Sequence, residues 1–439
     1  MSINQNIKPI TLKTNEKGNL EIGGCDTLEL ADKYGTPLYV VDEATLRGIA
    51  REYKKAFSKL ENVNMMFASK ALMTSAVAKI LSDEGFGFDV VSGGEIYTVK
   101  NAGVDMKNTT FNGNNKTVDE LNMALDAGVG HISVDNFLEL ALLNEIAKSK
   151  NIVQKILLRI TPGIECHTHE YIQTGHLDSK FGFDLTQLDE TLELILEEYK
   201  NLELTGLHAH IGSQIFETQV YYDEIGVILK EIKRIKDKFG IELREINAGG
   251  GLGVTYTDED CPPSVETIAN TIIDSIEKHC AELGLQKPVL YIEPGRSIVA
   301  TAGVSLYTVG SYKQVPNGRK YIAVDGGMAD NPRPSMYGAK YYAQIANKKD
   351  EENFEKVTVA GRFCESGDIL IKDIELNSPQ AGDVLCVYNT GAYGYSMSSN
   401  YNCVLKPAMV LVNSSQSDII VKRQTYAQLI QNDVIPDRI

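Results

Sequence analysis

Lys70 closes the apolar run Val63-Asn64-Met65-Met66-Phe67-Ala68-Ser69 with an amine. A lysine at the mouth of a short buried strand either turns out to solvent or serves as a Schiff-base lysine, condensing with a carbonyl cofactor. Other polar residues favour the second role because they recur at the same kind of place. Asp89 and Glu95 flank the end of the next run, Gly87–Glu95. Arg159 lies in Leu157–Pro162, and His208 and His210 end another run ahead of Ile211-Gly212-Ser213-Gln214. Asn247-Ala248-Gly249-Gly250-Gly251 and Glu293-Pro294-Gly295-Arg296-Ser297 complete the series.

This inventory matches the physical needs of pyridoxal 5'-phosphate. A dianionic phosphate needs backbone N–H groups that can approach closely, and consecutive glycines after a strand supply them ahead of a helix N-terminus. A glycine turn alone also suits nucleotides, but the dinucleotide fingerprint belongs in an early βαβ unit. The pyridine nitrogen must stay protonated for the ring to take up electrons, and Glu293 is an acidic partner at a strand end. His210 offers an imidazole to stack on the ring.

The elements that must carry these residues alternate from about residue 35 to 303. Strand candidates are Val63–Ser69, Gly87–Ser92, Thr109–Asn114, His131–Asn136, Lys155–Pro162, Leu204–Gly212, Glu245–Gly251 and Val289–Gly295. Ala71–Glu84 and Tyr221–Phe239 between them carry apolar residues at helical spacing. Strands separated by helices imply right-handed βαβ units and a parallel sheet, here a (β/α)8 TIM barrel. An open doubly wound sheet is the alternative. Beyond Gly303 the pattern turns to strands, at Ser305–Gln314, Lys320–Val324, Lys356–Ala360, Ile369–Ile374, Asp383–Tyr388 and Ala408–Arg423. The expectation is a barrel over 36–303 and a β-sandwich or Greek-key β domain over 304–439 that also takes in 1–35.

At 439 residues and a net charge of −16, the chain is large enough for such a pair of domains and a poor partner for nucleic acid or anionic membrane. It shows no apolar stretch of membrane-spanning length, and its polar first residues do not read as a secretory signal. The seven scattered cysteines, with no Cys-x-x-Cys, suit a reducing cytoplasm. Cys166-His167-Thr168-His169 with His176 hints at metal ligands, but no second cluster completes a four-ligand set, so no metal is expected.

Taken together, Phe67–Ala71, His210–Gln214, Gly249–Gly251 and Glu293–Arg296 resemble the fold-type III pyridoxal phosphate decarboxylases, and most closely the meso-diaminopimelate decarboxylase family. The resemblance covers nearly the whole chain. One departure is Phe-Ala-Ser-Lys where Tyr-Ala-Val-Lys is commoner. The resemblance implies that Lys70 holds the cofactor, His210 stacks on its ring, Ser213 and Gly249–Gly251 bind its phosphate, and Glu293 pairs with its nitrogen. Asp89, Glu95, Arg159, Gly295, Arg296 and Tyr393 are expected as further cofactor contacts.

The C-terminal motifs bear on the substrate. Arg333 and Tyr337, in Asn331-Pro332-Arg333-Pro334-Ser335-Met336-Tyr337, look like the family's substrate ligands, together with Arg296. Gly361–Asp368 looks like the catalytic loop, with Cys364 as proton donor and Glu365 for the far ammonium. Tyr393 looks like the tyrosine that binds both phosphate and substrate. The implied reaction is decarboxylation of a small amino acid, meso-2,6-diaminopimelate, to L-lysine by a homodimer with active sites at its interface. The alternatives are a decarboxylase of ornithine, arginine or carboxynorspermidine, or a racemase. Ornithine has no far carboxylate for Arg333 to bind.

Overall fold

The computed structural model describes residues 1–164, 179–348 and 353–439. The run Cys166–His169 and His176 lie outside the described residues. The chain folds as two compact units. One is formed by Met1–Gln5, Arg47–Val254 and Cys261–Ile298, and the other by Asn6–Leu46, Thr255–Asp260 and Val299–Ile439.

In the first unit Val63–Ala68, Gly87–Val90, Thr109–Phe111, His131–Val134, Gln154–Thr161, Leu202–His208, Glu245–Asn247 and Val289–Ile292 pair in that order, all parallel, and the last pairs back with the first. This is a closed eight-stranded parallel barrel. Seven of the eight strands are shorter than the run expected for them, most ending where the polar and glycine residues begin, whereas Gln154–Thr161 is as long as the expected Lys155–Pro162 and shifted by one residue. Most helices between the strands start at side-chain caps, Leu188–Glu197 and Gln219–Phe239 being the exceptions. Thr74 accepts from the Val77 N–H, and Thr117 with Glu120 forms a capping box that opens Val118–Ala127. Gly128, at φ 75°, ends that helix in the left-handed region that glycine enters freely. Phe67, Phe88 and Phe111, on three neighbouring strands, are fully buried.

One carboxyl in this unit is buried without a hydrogen-bond partner. Glu224, on the helix Gln219–Phe239, is fully buried, and neither carboxylate oxygen finds a hydrogen-bond partner among the described residues. Burial first, and the charge of Glu293 second, push its pKa well above the ordinary carboxylate value. A carboxyl whose folded pKa is raised contributes most below its unfolded pKa, and that stability drains as pH rises towards the folded value. Glu224→Gln should therefore match the parent at pH 4. From pH 5 upward it should become progressively more stable than the parent, with a slope of up to about 1.4 kcal/mol per pH unit. Denaturant unfolding across pH 4–8 reads this, and parallel stability curves would refute it.

The second unit is mostly sheet. Its path runs through Ile369–Asn377, Phe354–Ala360, Lys320–Val324, Gly303–Gln314, Leu38–Asp42, Ala408–Asn413 and Gln416–Val421, with Ala343–Ile345 and Val384–Val387 branching from Gly303–Gln314. Leu38–Asp42, an apolar run not expected as a strand, pairs antiparallel with Gly303–Leu306 and parallel with Ala408–Val412. The segment Ala408–Arg423, expected as one strand, is a hairpin. It turns at Ser414 and Ser415, both at positive φ. Lys13–Thr14, Leu20–Ile22 and Cys25–Asp26 form a small separate sheet. Leu20, Ile22, Leu38, Val40, Leu306, Tyr388 and Val410 share one apolar core. No described helix is long and apolar enough to cross a membrane.

Candidate active site

Lys70 sits in a short 3-10 turn, Ser69–Ala71, directly after the first barrel strand. Around the same end of the barrel the polar residues form one buried network. Glu293 follows the last strand, and its Oε1 accepts from Asn247 Nδ2 at 2.6 Å and Asn112 Nδ2 at 3.1 Å. The other proton of the Asn112 amide goes to Asp89 Oδ1 at 2.5 Å, so one amide serves two carboxyls. Two carboxylates so placed in a buried site cannot both ionise at low cost. Asp89 yields. Burial first, then the charge of Glu293, push its pKa up to about 7, although Lys70 and Asn112 pull against this. Glu293 stays ionised. Burial alone would raise it, but His208, Lys70 and Asn247 hold it below the usual carboxylate range.

His210 is kept neutral, chiefly by burial and then by the positive charges of Lys70 and Arg159. The Gly250 N–H donates to its Nδ1 at 3.2 Å, which places the imidazole proton on Nε2. Arg159, on the fifth strand, faces Asp135 at 3.9 Å and lies 4.2 Å over the Phe181 ring. Glu95 turns back on the start of its own helix, where its Oε2 accepts from the Val91 N–H at 2.7 Å. Arg296 donates to Ser213 Oγ at 3.0 Å through Nη2 and at 3.3 Å through Nε.

The glycine turn is built for close approach. A Cβ on Gly250 would lie 2.1 Å from the Glu293 carbonyl oxygen, and one on Gly249 would lie 2.6 Å from His210 Nδ1. Gly249 and Gly251 also adopt positive φ. The residues fit pyridoxal phosphate on these grounds: a cradle that any side chain would fill, an ionised carboxylate, a neutral imidazole and a lysine, all on one barrel. Among the described residues no three His, Cys, Asp or Glu side chains gather as a metal site would require.

The second unit holds the remaining expected residues. Arg333 opens the short helix Arg333–Tyr337 and is buried. Its Nη1 donates to the Tyr341 hydroxyl at 2.6 Å, and its guanidinium lies 4.7 Å over the Tyr256 ring. The turn before it is anchored by Asp330, which accepts from the Tyr307 hydroxyl at 2.5 Å and the Gly327 N–H at 2.8 Å. Tyr337 is half-buried on the same helix. The loop Gly361–Asp368 closes on the Asp368 carboxylate, which takes the N–H groups of Met328 and Phe363 at 2.7 and 2.8 Å. That leaves Cys364 and Glu365 exposed at its tip, and Cys364 is pinned through its N–H to Asn402 Oδ1 at 3.0 Å. Tyr393 sits at φ 62°.

Asn112, Asn247, Ser133, Tyr256 and Tyr341 had no role in the sequence reading. The one available signal was position: Asn112 and Asn247 stand at strand ends, like the residues that were singled out.

The barrel, its strand-end lysine and its glycine cradle define a class, and comparison with known proteins agrees. Residues 46–300 match the family described as "Pyridoxal-dependent decarboxylase, pyridoxal binding domain". The diaminopimelate decarboxylase of Synechocystis sp. is 48% identical over 448 residues, covering 100% of this chain and 95% of that protein. That of Bacillus subtilis is 46% identical over 427 residues, covering 97% of each. The crystal structure of diaminopimelate decarboxylase from M. jannaschii in complex with L-lysine aligns with a TM-score of 0.92 at 36% identity, covering 98% of this chain and 99% of that one. The chain belongs to the pyridoxal-dependent decarboxylase family, and within it to the diaminopimelate decarboxylases.

Proposed function

We propose that the chain is a carboxy-lyase that converts meso-2,6-diaminopimelate to L-lysine and carbon dioxide, the last step of lysine biosynthesis. The observation that carries the choice of substrate is Arg333. It is a buried guanidinium with a tyrosine hydroxyl and two tyrosine rings around it, but no acidic partner among the described residues. A buried cation so placed suits a ligand carboxylate, which a planar guanidinium can bind through both oxygens.

Bound pyridoxal phosphate supplies the sink for the electron pair left when the Cα–carboxylate bond breaks. The chain's own residues do the rest. Lys70 Nζ is the attachment point. The N–H groups of Gly249–Gly251 and the Ser213 hydroxyl are donors for a phosphate. Glu293 presents a negative charge to the ring nitrogen, and neutral His210 presents an imidazole face without a competing charge. Arg333, Tyr337 and Arg296 hold the far carboxylate, Glu365 accepts from the far ammonium, and Tyr393 contributes a hydroxyl. Cys364 Sγ delivers the proton that replaces carbon dioxide on Cα. Asp89, Glu95, Arg159 and Gly295 support the cofactor residues. Product analysis after separate incubation with meso-diaminopimelate, ornithine and arginine tests the assignment. Putrescine from ornithine or agmatine from arginine, with no lysine from diaminopimelate, would overturn it.

The enzyme acts as a homodimer in the cytoplasm, where the described cysteines, all free thiols, stay reduced. In this reading Lys70 of one chain is served by Cys364 of the partner subunit. Lys70→Ala and Cys364→Ala homodimers should then each be nearly inactive. Mixed equally under subunit exchange, they should recover about one quarter of parent activity. Half the dimers are mixed, and one of two sites in each is intact. No recovery, with exchange verified by mass spectrometry, would show that Cys364 serves its own chain or is not catalytic.

A further inference from the structure

The network behind Glu293 continues away from Lys70 through two residues that the proposed reaction does not use. Glu293 Oε2 faces His208 Nε2 at 3.5 Å. His208 ends the strand Leu202–His208, is 1% exposed, and has its Nδ1 2.7 Å from Ser133 Oγ on the strand His131–Val134. Ser133 is equally buried. Two proton arrangements are possible. If the serine hydroxyl donates to Nδ1, the imidazole proton sits on Nε2 and points at a carboxylate. In the reverse arrangement a nitrogen lone pair faces a carboxylate oxygen in a dry interior, which is repulsive. The first arrangement therefore holds.

Burial keeps this imidazole from gaining a second proton. That matters, because an imidazolium beside Glu293 would neutralise the charge needed by a pyridinium. A neutral N–H facing the carboxylate at 3.5 Å, without forming a hydrogen bond to it, biases its orientation through the N–H dipole and leaves its charge available. With Oε1 already taken by two amides, Oε2 is the oxygen left to face a ligand.

We propose that His208, held in its tautomer by Ser133, is a positioning residue that fixes the Glu293 carboxylate and so governs how firmly the enzyme keeps the cofactor's ring nitrogen protonated. The inference rests on the reading of Glu293 as the ring-nitrogen partner. A purely structural role predicts something else, because an apolar pair at positions 133 and 208 would fill the same space at lower desolvation cost.

The test compares binding of two cofactors to the apoprotein by equilibrium titration. One is pyridoxal phosphate, and the other is its analogue with a ring carbon in place of the pyridine nitrogen. His208→Phe should weaken binding of pyridoxal phosphate by roughly ten- to a hundredfold, the scale by which removing an outer-shell partner of a metal ligand weakens metal binding. Binding of the analogue should change by no more than about twofold. Ser133→Ala, a smaller change that leaves the ring in place, should shift the same preference in the same direction. His208→Gln, whose amide can still donate, should restore most of it. Glu293→Gln is the control for the underlying reading. If it leaves the preference for the pyridine nitrogen intact, Glu293 is not the partner. If Glu293→Gln abolishes the preference while His208→Phe and Ser133→Ala retain it, His208 does not act through Glu293. Equal weakening of both cofactors by His208→Phe would mark it as structural only.

Discussion

Lys70→Ala should cost on the order of 10⁴-fold or more in kcat, the scale of losing a group that forms a covalent bond in the reaction. It should also remove the visible band of the lysine-linked cofactor, leaving at most the spectrum of the free aldehyde. Lys70 lies in the turn immediately after the first barrel strand, within the field of ionised Glu293 and of Asp89. Borohydride reduction of the parent enzyme followed by peptide mapping should place the pyridoxyl group on Lys70. A label on any other lysine, or an unchanged spectrum in the variant, would overturn the assignment.

Arg333→Ala should lower kcat/KM for diaminopimelate by roughly thirty- to several-thousand-fold. Removing one partner of a buried, hydrogen-bonded charge pair costs about 2–5 kcal/mol. Affinity for pyridoxal phosphate should not change, because Arg333 is not among the expected cofactor contacts. Arg333→Lys keeps the charge but loses the planar fork, so it should recover only part of the activity. An Arg333→Ala enzyme with parent kcat/KM would show that the far carboxylate is bound elsewhere.

The cofactor side of this site was legible because a barrel lays its working residues out in chain order. Each strand ends in a short polar or glycine-rich signature, and Lys70, Asp89, His210, Gly249–Gly251 and Glu293 all fall at such ends. Asn112, Ser133 and Asn247 stand at or near strand ends as well, but a lone asparagine or serine has no spacing to betray it. Their importance comes from strands far apart in sequence meeting around the ring. Tyr256 was hidden for the same reason, since it reaches Arg333 only through the folded sheet unit, whereas Tyr341 is eight residues from Arg333 but carries no motif of its own. Leu38–Asp42 is four apolar or strand-forming residues and an aspartate, a run that any sheet could accept. Its partners at Gly303–Leu306 and Ala408–Val412 lie hundreds of positions away. The hairpin after Ala408 was missed because Ser414 and Ser415 turn it, where the usual signal is asparagine or glycine.

Asn112 is followed by Gly113, the neighbour that lets an exposed asparagine lose its amide most readily. Here the amide is 4% exposed and pinned between Asp89 and Glu293. The native fold therefore shields this Asn-Gly bond, whereas the opened chain does not; the other such pair, Asn317-Gly318, is exposed even in the folded chain. Deamidation would place a third carboxyl between two that already compete for one negative charge. An enzyme that ages through repeated opening would lose this amide chemically, and correct refolding would not bring it back.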